Sequence, residues 1–244
     1  MGAVNVMIRS YKICDLIVNC DFRYDKCISR AEKYLIEPTE KCDIFIPYHE
    51  EMTQKIVDVH PNIYLPTLEL VLTGCAFNTQ LLDFSGFMLH SSCVVVDNKA
   101  YLFSANSGTG KSTHTQQWLK LFGDKAYILN DDKPAVIFRD GKAYACGTPW
   151  SGSSDLNENA IVPIQGICEL ERSETNFIEP IEDNGELIFK IMNQTQRSYE
   201  IDYIDKVLKY VEMLIDAVPI YRFGCNISTD AAQLAYDTMV KAEF

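Results

Sequence analysis

Residues 105–114 read Ala-Asn-Ser-Gly-Thr-Gly-Lys-Ser-Thr-His. A loop that cradles phosphate needs small residues, so that successive backbone N–H groups can turn inward, and a helix start whose dipole favours anions. It also needs a lysine for the outer phosphates and a hydroxyl for magnesium. Gly108, Gly110, Lys111 and Ser112 supply those parts in order, and Ala105 stands where the usual pattern begins with glycine. Ala105, Asn106, Ser107, Gly108, Thr109, Gly110, Lys111, Ser112 and Thr113 are therefore the candidate phosphate-contacting stretch, in a relaxed form of the motif. The flanks agree with that reading. YLFSA before the loop reads as a strand, and STHTQQWLKLFG after it places Trp118, Leu119 and Phe122 at helical spacing and stops at Gly123.

Upstream, GFMLHSSCVVVDNKAYLFSA has apolar runs either side of Asp97-Asn98, a turn dipeptide, which predicts a strand pair leading into the loop. Downstream, AYILNDD reads as a buried strand ending in two carboxylates, and PAVIFRDGKAYACG as a hairpin turned at Asp140-Gly141. IVPIQGICELER and PIYRF read as further strands, YIDKVLKYVEMLIDAV as an amphipathic helix, and STDAAQLAYDTMVKA as a closing helix with Ser228 as N-cap. At the front of the chain, residues 11–18 and 43–47 read as single short strands with a helical stretch around RAEKYL between them. A polar helix is expected from near His49, and a more apolar one from Pro66 to Leu82. The expected fold class is mixed α/β, with a small α+β portion over residues 1–84, separate or part of the same domain, and a nucleotide-binding portion over 85–244.

Three further features carry chemistry. Asp131 and Asp132 end a strand one helix after the loop, where paired carboxylates can hold Mg²⁺ and accept a proton from an attacking hydroxyl. Ser112, Asp131 and Asp132 are thus the candidate metal-holding residues. His90 lies on the strand pair feeding the loop; a lone strand histidine is more often a structural hydrogen-bonding group than a site residue. Gly147 to Ser154 sets two glycines around Trp150 in a polar setting, which fits either a loop over substrate or a surface turn with the tryptophan buried.

Composition narrows the partners. With 34 Asp and Glu against 22 Lys and Arg, a net charge of −12, the chain lacks the broad basic surface that duplex nucleic acid or an anionic membrane requires. An anionic ligand must be held locally. The first residues, MGAVNVMIRS, have neither an apolar leader core nor a myristoylation pattern, because Val6 stands where Ser or Thr is needed. No apolar run approaches a membrane span, so the expectation is a soluble, cytoplasmic protein. The nine cysteines are scattered, odd in number and never spaced CxxC, which reads as small apolar residues in a reducing cell; His49 and His60 read as surface groups.

The combination LHSSCVVVDNKAYLFSANSGTGKST, then LNDD, then a later strand ending in an acidic and a basic residue, resembles the C-terminal catalytic domain of the HPr kinase/phosphorylase family and the related core of ATP-dependent phosphoenolpyruvate carboxykinase. It covers roughly residues 85–172. The resemblance implies a phosphate loop on Ala105 to Ser112, the histidine before the loop on His90, and the carboxylate pair on Asp131 and Asp132. It implies ATP and Mg²⁺ as cofactors, Lys111 on phosphate, Ser112 on metal, and one aspartate as base toward a hydroxyl. Thr113 stands where HPr kinases carry glutamate, a position at which the carboxykinase-type loop has a hydroxyl residue. The activity implied is an ATP-dependent kinase acting on a hydroxyl acceptor, a Ser or Thr of a peptide or protein by resemblance, while a small hydroxylated metabolite fits the same machinery. Assembly into homo-oligomers is also implied. An arginine near the γ-phosphate is expected, with Arg172, Arg197 and Arg222 as candidates. An ATP-binding regulatory module and a plain hydrolase are the rival readings.

Overall fold

The computed structural model describes residues 8–241. The readings made on Val6 and on the last residues of the chain lie outside them. The fold is mixed α/β, built on two sheets.

The smaller sheet holds β1 (Arg9–Ile13), β2 (Leu16–Cys20) and β3 (Ile44–Ile46), in that order. Here the sequence reading needs correction: residues 11–18 are not one strand. The chain reverses at Cys14-Asp15, whose φ of 55° and 64° close a tight hairpin pairing Ile13 with Leu16. Cysteine carries no turn preference, so the turn was masked by apolar neighbours. The helical stretch around RAEKYL starts earlier, as α1 (Asp25–Ala31), and ends in a short 3₁₀ turn over Glu32–Tyr34. Next come α2 (Glu50–Val59) and α3 (Leu65–Leu81), as expected.

The larger sheet contains nine strands. Its first members are β4 (Gly86–Met88), β5 (Ser91–Val96) and β6 (Lys99–Ser104), followed by α4 (Lys111–Phe122), then β7 (Ala126–Asn130), β8 (Ala135–Arg139) and β9 (Lys142–Cys146). β10 (Ile161–Arg172), β11 (Phe177–Pro180), α5 (Asn184–Met192), α6 (Ile201–Ala217), β12 (Ile220–Cys225) and α7 (Thr229–Met239) complete it. The long β10 organises the sheet. Its first residues pair antiparallel with β9, and beyond an irregularity between Ile164 and Gly166 it runs parallel to both β6 and β12.

Strands β5 and β6 are buried on both faces, and alternation sorts their side chains. Val94, Val96, Tyr101 and Phe103 pack with Trp118 of α4 and Ala231, Ala232 and Ala235 of α7. Cys93, Val95, Ala100 and Leu102 pack in the opposite cluster with Tyr203, Val207 and Val211 of α6. A third cluster joins Tyr11, Ile13, Tyr34 and Phe77 to Met88, Ala135, Ile137, Cys146 and Trp150, so the N-terminal elements and the larger sheet share one core. The strands β6, β7, β10 and β12 run the same way, and their carboxyl ends lie along one rim. Loops at such a rim can place side chains from distant parts of the sequence around one ligand.

Candidate active site

Gly108 and Gly110 adopt φ of +80° and +126°, conformations that side chains rarely tolerate, and both face open space. They carry the chain from β6 into α4, whose N-terminus has no side-chain cap. The first amides of this helix therefore remain available to an anion, with the helix dipole behind them. A cavity of about 870 Å³ opens over this point. Ser107, Gly108, Thr109, Gly110, Lys111, Ser112 and Thr113 line it, facing His90, Asp131, Asp132 and Arg172. Ala105 and Asn106 do not line it. Ala105 is buried beneath the loop, where its carbonyl accepts from Lys111 Nζ at 2.9 Å, and the carbonyl of Asn106 accepts from the Thr109 amide at 3.2 Å.

Lys111, His90 and Asp132 form a chain of contacts. Lys111 Nζ lies 3.2 Å from His90 Nε2, and Asp132 Oδ1 lies 3.4 Å from the same nitrogen. His90 Nδ1 is 3.0 Å from Gln194 Oε1, and the backbone carbonyl of Gln194 accepts from the His90 amide at 2.8 Å. With Nδ1–H donating to Gln194, the network assigns the lone pair to Nε2, facing the lysine. Burial pushes the Lys111 pKa down, and the carboxylates of Asp132, Asp131 and Glu169 act against that shift.

The two aspartates have different surroundings. Asp131 is buried, and its Oδ1 accepts a 2.6 Å hydrogen bond from Ser92, which also contacts Thr115 of α4 at 3.0 Å. Asp132 is half-buried and faces the cavity beside His90. Asn130 fixes their turn: its side-chain oxygen accepts from the amides of Asp132 and Lys133 at 2.9 and 2.7 Å, and its amide donates to Thr148.

The stretch after Gly147 buries its tryptophan and sets small residues on the cavity. Trp150 is buried, stacked on Phe77 at 4.7 Å and donating to Thr73, while Ser151, Gly152 and Ser153 line the cavity. Arg30, itself buried, holds this segment by donating to the Gly152 carbonyl at 2.6 Å and pairing with Asp155 at 3.2 Å.

Of the three arginines, only Arg172 lines the cavity, where it grips the loop through the carbonyls of Thr109 (3.0 Å) and Gly108 (2.6 Å). Arg222 pairs with Glu179 and Glu186, and Arg197 is exposed away from the cavity. His114 also borders the cavity, but burial pushes its pKa down to about 3, and it accepts from Trp118 Nε1 at 3.0 Å between Phe103 and Phe223. It is a neutral packing residue under the loop.

Sequence reasoning missed Ser92, Gln194, Arg30 and Glu169. Ser92 and Gln194 reach their partners across 39 and 104 residues, so no local pattern announces them. Glu169 sits partly buried on β10 with an unpartnered Oε2, and burial pushes its carboxyl up to about 7.

Among the described residues no group of three His, Cys, Asp or Glu could by itself hold a metal ion. The cavity instead offers the exposed hydroxyl of Ser112 and the two aspartates, hard oxygen donors of the kind that hold Mg²⁺ together with phosphate oxygens and water. No described helix is long and apolar enough to cross a membrane. Seven cysteines are buried and all nine are free thiols; Cys42 is exposed and Cys75 half-buried. Burial pushes the pKa of Cys20, Cys93 and Cys168 up, as befits apolar packing groups. His60 is exposed, but His49 is half-buried with an unpartnered Nε2, short of the surface position expected for it.

No protein-family model matches the sequence, and no curated protein matches it. Among solved structures, the Hpr(Ser) kinase/phosphatase from Coxiella burnetii is similar with a TM-score of 0.36 and 12% sequence identity, over 63% of this chain and 93% of that one. A likeness that weak establishes neither a shared family nor a shared activity.

Proposed function

We propose that the protein is an ATP-dependent kinase with an HPr kinase/carboxykinase-like core, transferring the γ-phosphate of ATP to a hydroxyl group. The observation that carries this reading is the line Lys111–His90–Asp132, which joins a cation at an open helix N-terminus to a solvent-reachable carboxylate within one cavity. Nucleotide binding alone needs the helix start and the lysine; it does not need a carboxylate poised beside them. The motif resemblance of residues 85–172 points the same way.

In this reading the amides from Ser107 to Ser112 and the Lys111 ammonium bind the phosphates. Ser112 and Asp131 would hold Mg²⁺, which would supply positive charge against the phosphates. Asp132 accepts the proton of the acceptor hydroxyl. The acceptor oxygen bonds to the γ-phosphorus, the bond from that phosphorus to the β–γ bridging oxygen breaks, and its electron pair leaves on ADP. His90, held in orientation by Gln194, accepts from Lys111 and stands beside Asp132. Arg172 shapes the loop through its carbonyls.

The test separates binding from chemistry. Lys111→Ala should weaken ATP binding at least tenfold by calorimetry. Asp132→Asn should bind ATP within a few-fold of wild type while ATP turnover falls by about 10²–10⁴, the usual contribution of a general base. Equal turnover in wild type and both variants would sink the assignment. Turnover that releases only free phosphate, whatever acceptor is offered, would favour the hydrolase reading, with Asp132 positioning water.

A further inference from the structure

A second cavity, of about 300 Å³, meets the first at His90 and Asp132. It lies between α3 and the segment that joins α5 to α6, and no residue of the glycine loop lines it. On its lining Asn78 of α3 is buried, donates to Tyr203 at 2.8 Å and to Gln196 at 3.2 Å, and accepts from the Met88 amide at 2.6 Å. Its wall is a run of neutral hydrogen-bonding side chains, Asn193, Gln194, Thr195 and Gln196. Lys133 is the one lysine or arginine on the lining, and among the described residues its ammonium has neither an ion pair nor a hydrogen bond.

We propose that this cavity is the acceptor site and that it takes a small hydroxy acid, its carboxylate on Lys133 and its hydroxyl at Asp132. The inference rests on the kinase reading above and deepens it. Three observations select the class. The volume lies at the low end of ligand-sized pockets, roughly 300–1,000 Å³, which suits a metabolite rather than a folded partner. The carboxamides and the threonine hydroxyl fit neutral polar groups. A single unpaired ammonium beside the Asp132 carboxylate matches a monoanion; a second phosphate-like dianion would be repelled there. The two cavities share His90 and Asp132, so a hydroxyl held at Asp132 from the second cavity would lie beside the nucleotide cavity.

The test measures ADP formation by the full chain with Mg²⁺ and ATP, alone and with D-glycerate, L-lactate or glycolate. Glycerol serves as the uncharged counterpart, and a seryl peptide blocked at both ends as the macromolecular one. At least one hydroxy acid should stimulate ADP formation and become phosphorylated, with glycerol ineffective. Lys133→Ala should then raise the KM for that acid at least tenfold with a smaller change in kcat, and Lys133→Arg should restore most of the affinity. The inference is overturned if no hydroxy acid stimulates, if the blocked peptide alone is phosphorylated, or if Lys133→Ala leaves the KM unchanged. ATP binding, compared between wild type and Lys111→Ala, keeps the two claims apart. Loss of Lys111-dependent binding removes the kinase reading, whereas its presence beside any of those three outcomes removes the acceptor assignment alone.

Discussion

Asp131 and Asp132 are neighbours in sequence and differ in what surrounds them. The Ser92 hydroxyl anchors the first, while the second faces the cavity beside His90. Sequence marked the pair but could not divide its roles, because the division depends on Ser92 from another strand. Glu169 shows the same limit more sharply. It reads as one charged residue in a strand, yet folding leaves its Oε2 without a partner and raises its carboxyl from 4.5 to about 7. A raised acid holds its proton more tightly folded than unfolded, so its contribution is favourable below about pH 4.5 and is lost as pH climbs through about 7. Glu169→Gln should therefore be more stable than wild type at pH 8, on the order of 1–3 kcal/mol, with the gap closing below pH 5. Urea melts at both pH values measure this; an equal gap at both would contradict it.

At the scale of elements, turn chemistry was the most legible signal. Asp97-Asn98 and Asp140-Gly141 both take positive φ and close the hairpins expected of them. Ser228 caps α7 by accepting from the Ala231 amide, also as expected, and Ser228→Ala should cost about 1 kcal/mol in thermal or urea unfolding. The helix α5 went unread although Asp183 caps it from the Glu186 amide, an Asp-x-x-Glu pattern that marks a helix start. The strands β4 and β11 were too short to show a period. Gly147 carries a constraint that no local pattern reveals, since a Cβ there would lie 1.7 Å from the Glu158 carbonyl oxygen. Gly147→Ala should push the 147–158 segment away from Asp132, lowering both stability and ATP turnover. Wild-type values for both would show that the segment yields freely.

Across the whole molecule, the N-terminal elements act on the site through packing. Arg30 holds Gly152, the Tyr34 hydroxyl donates to Asn157 at 3.0 Å, and Phe77 stacks on Trp150. A chain beginning at Ser85 would expose Met88, Ile137, Cys146 and Trp150, so it should lose cooperative thermal unfolding; a sharp transition in that fragment would contradict the shared core. Sequence marked a change of pattern at Gly86, left open whether the two portions form one domain, and could not see this joint core, whose contacts span more than 100 residues. The molecule as a whole thus brings a loop, a histidine from the β4–β5 connection and a carboxylate to one rim, and the central claim is that they move phosphate. The most direct measurement is transfer of label from γ-labelled ATP with Mg²⁺ into a cell extract, with wild type beside Lys111→Ala, each labelled product being identified by mass spectrometry. A labelled hydroxyl compound that depends on Lys111 is the predicted result. Label found only in free phosphate, or the same products from both proteins, would contradict the account.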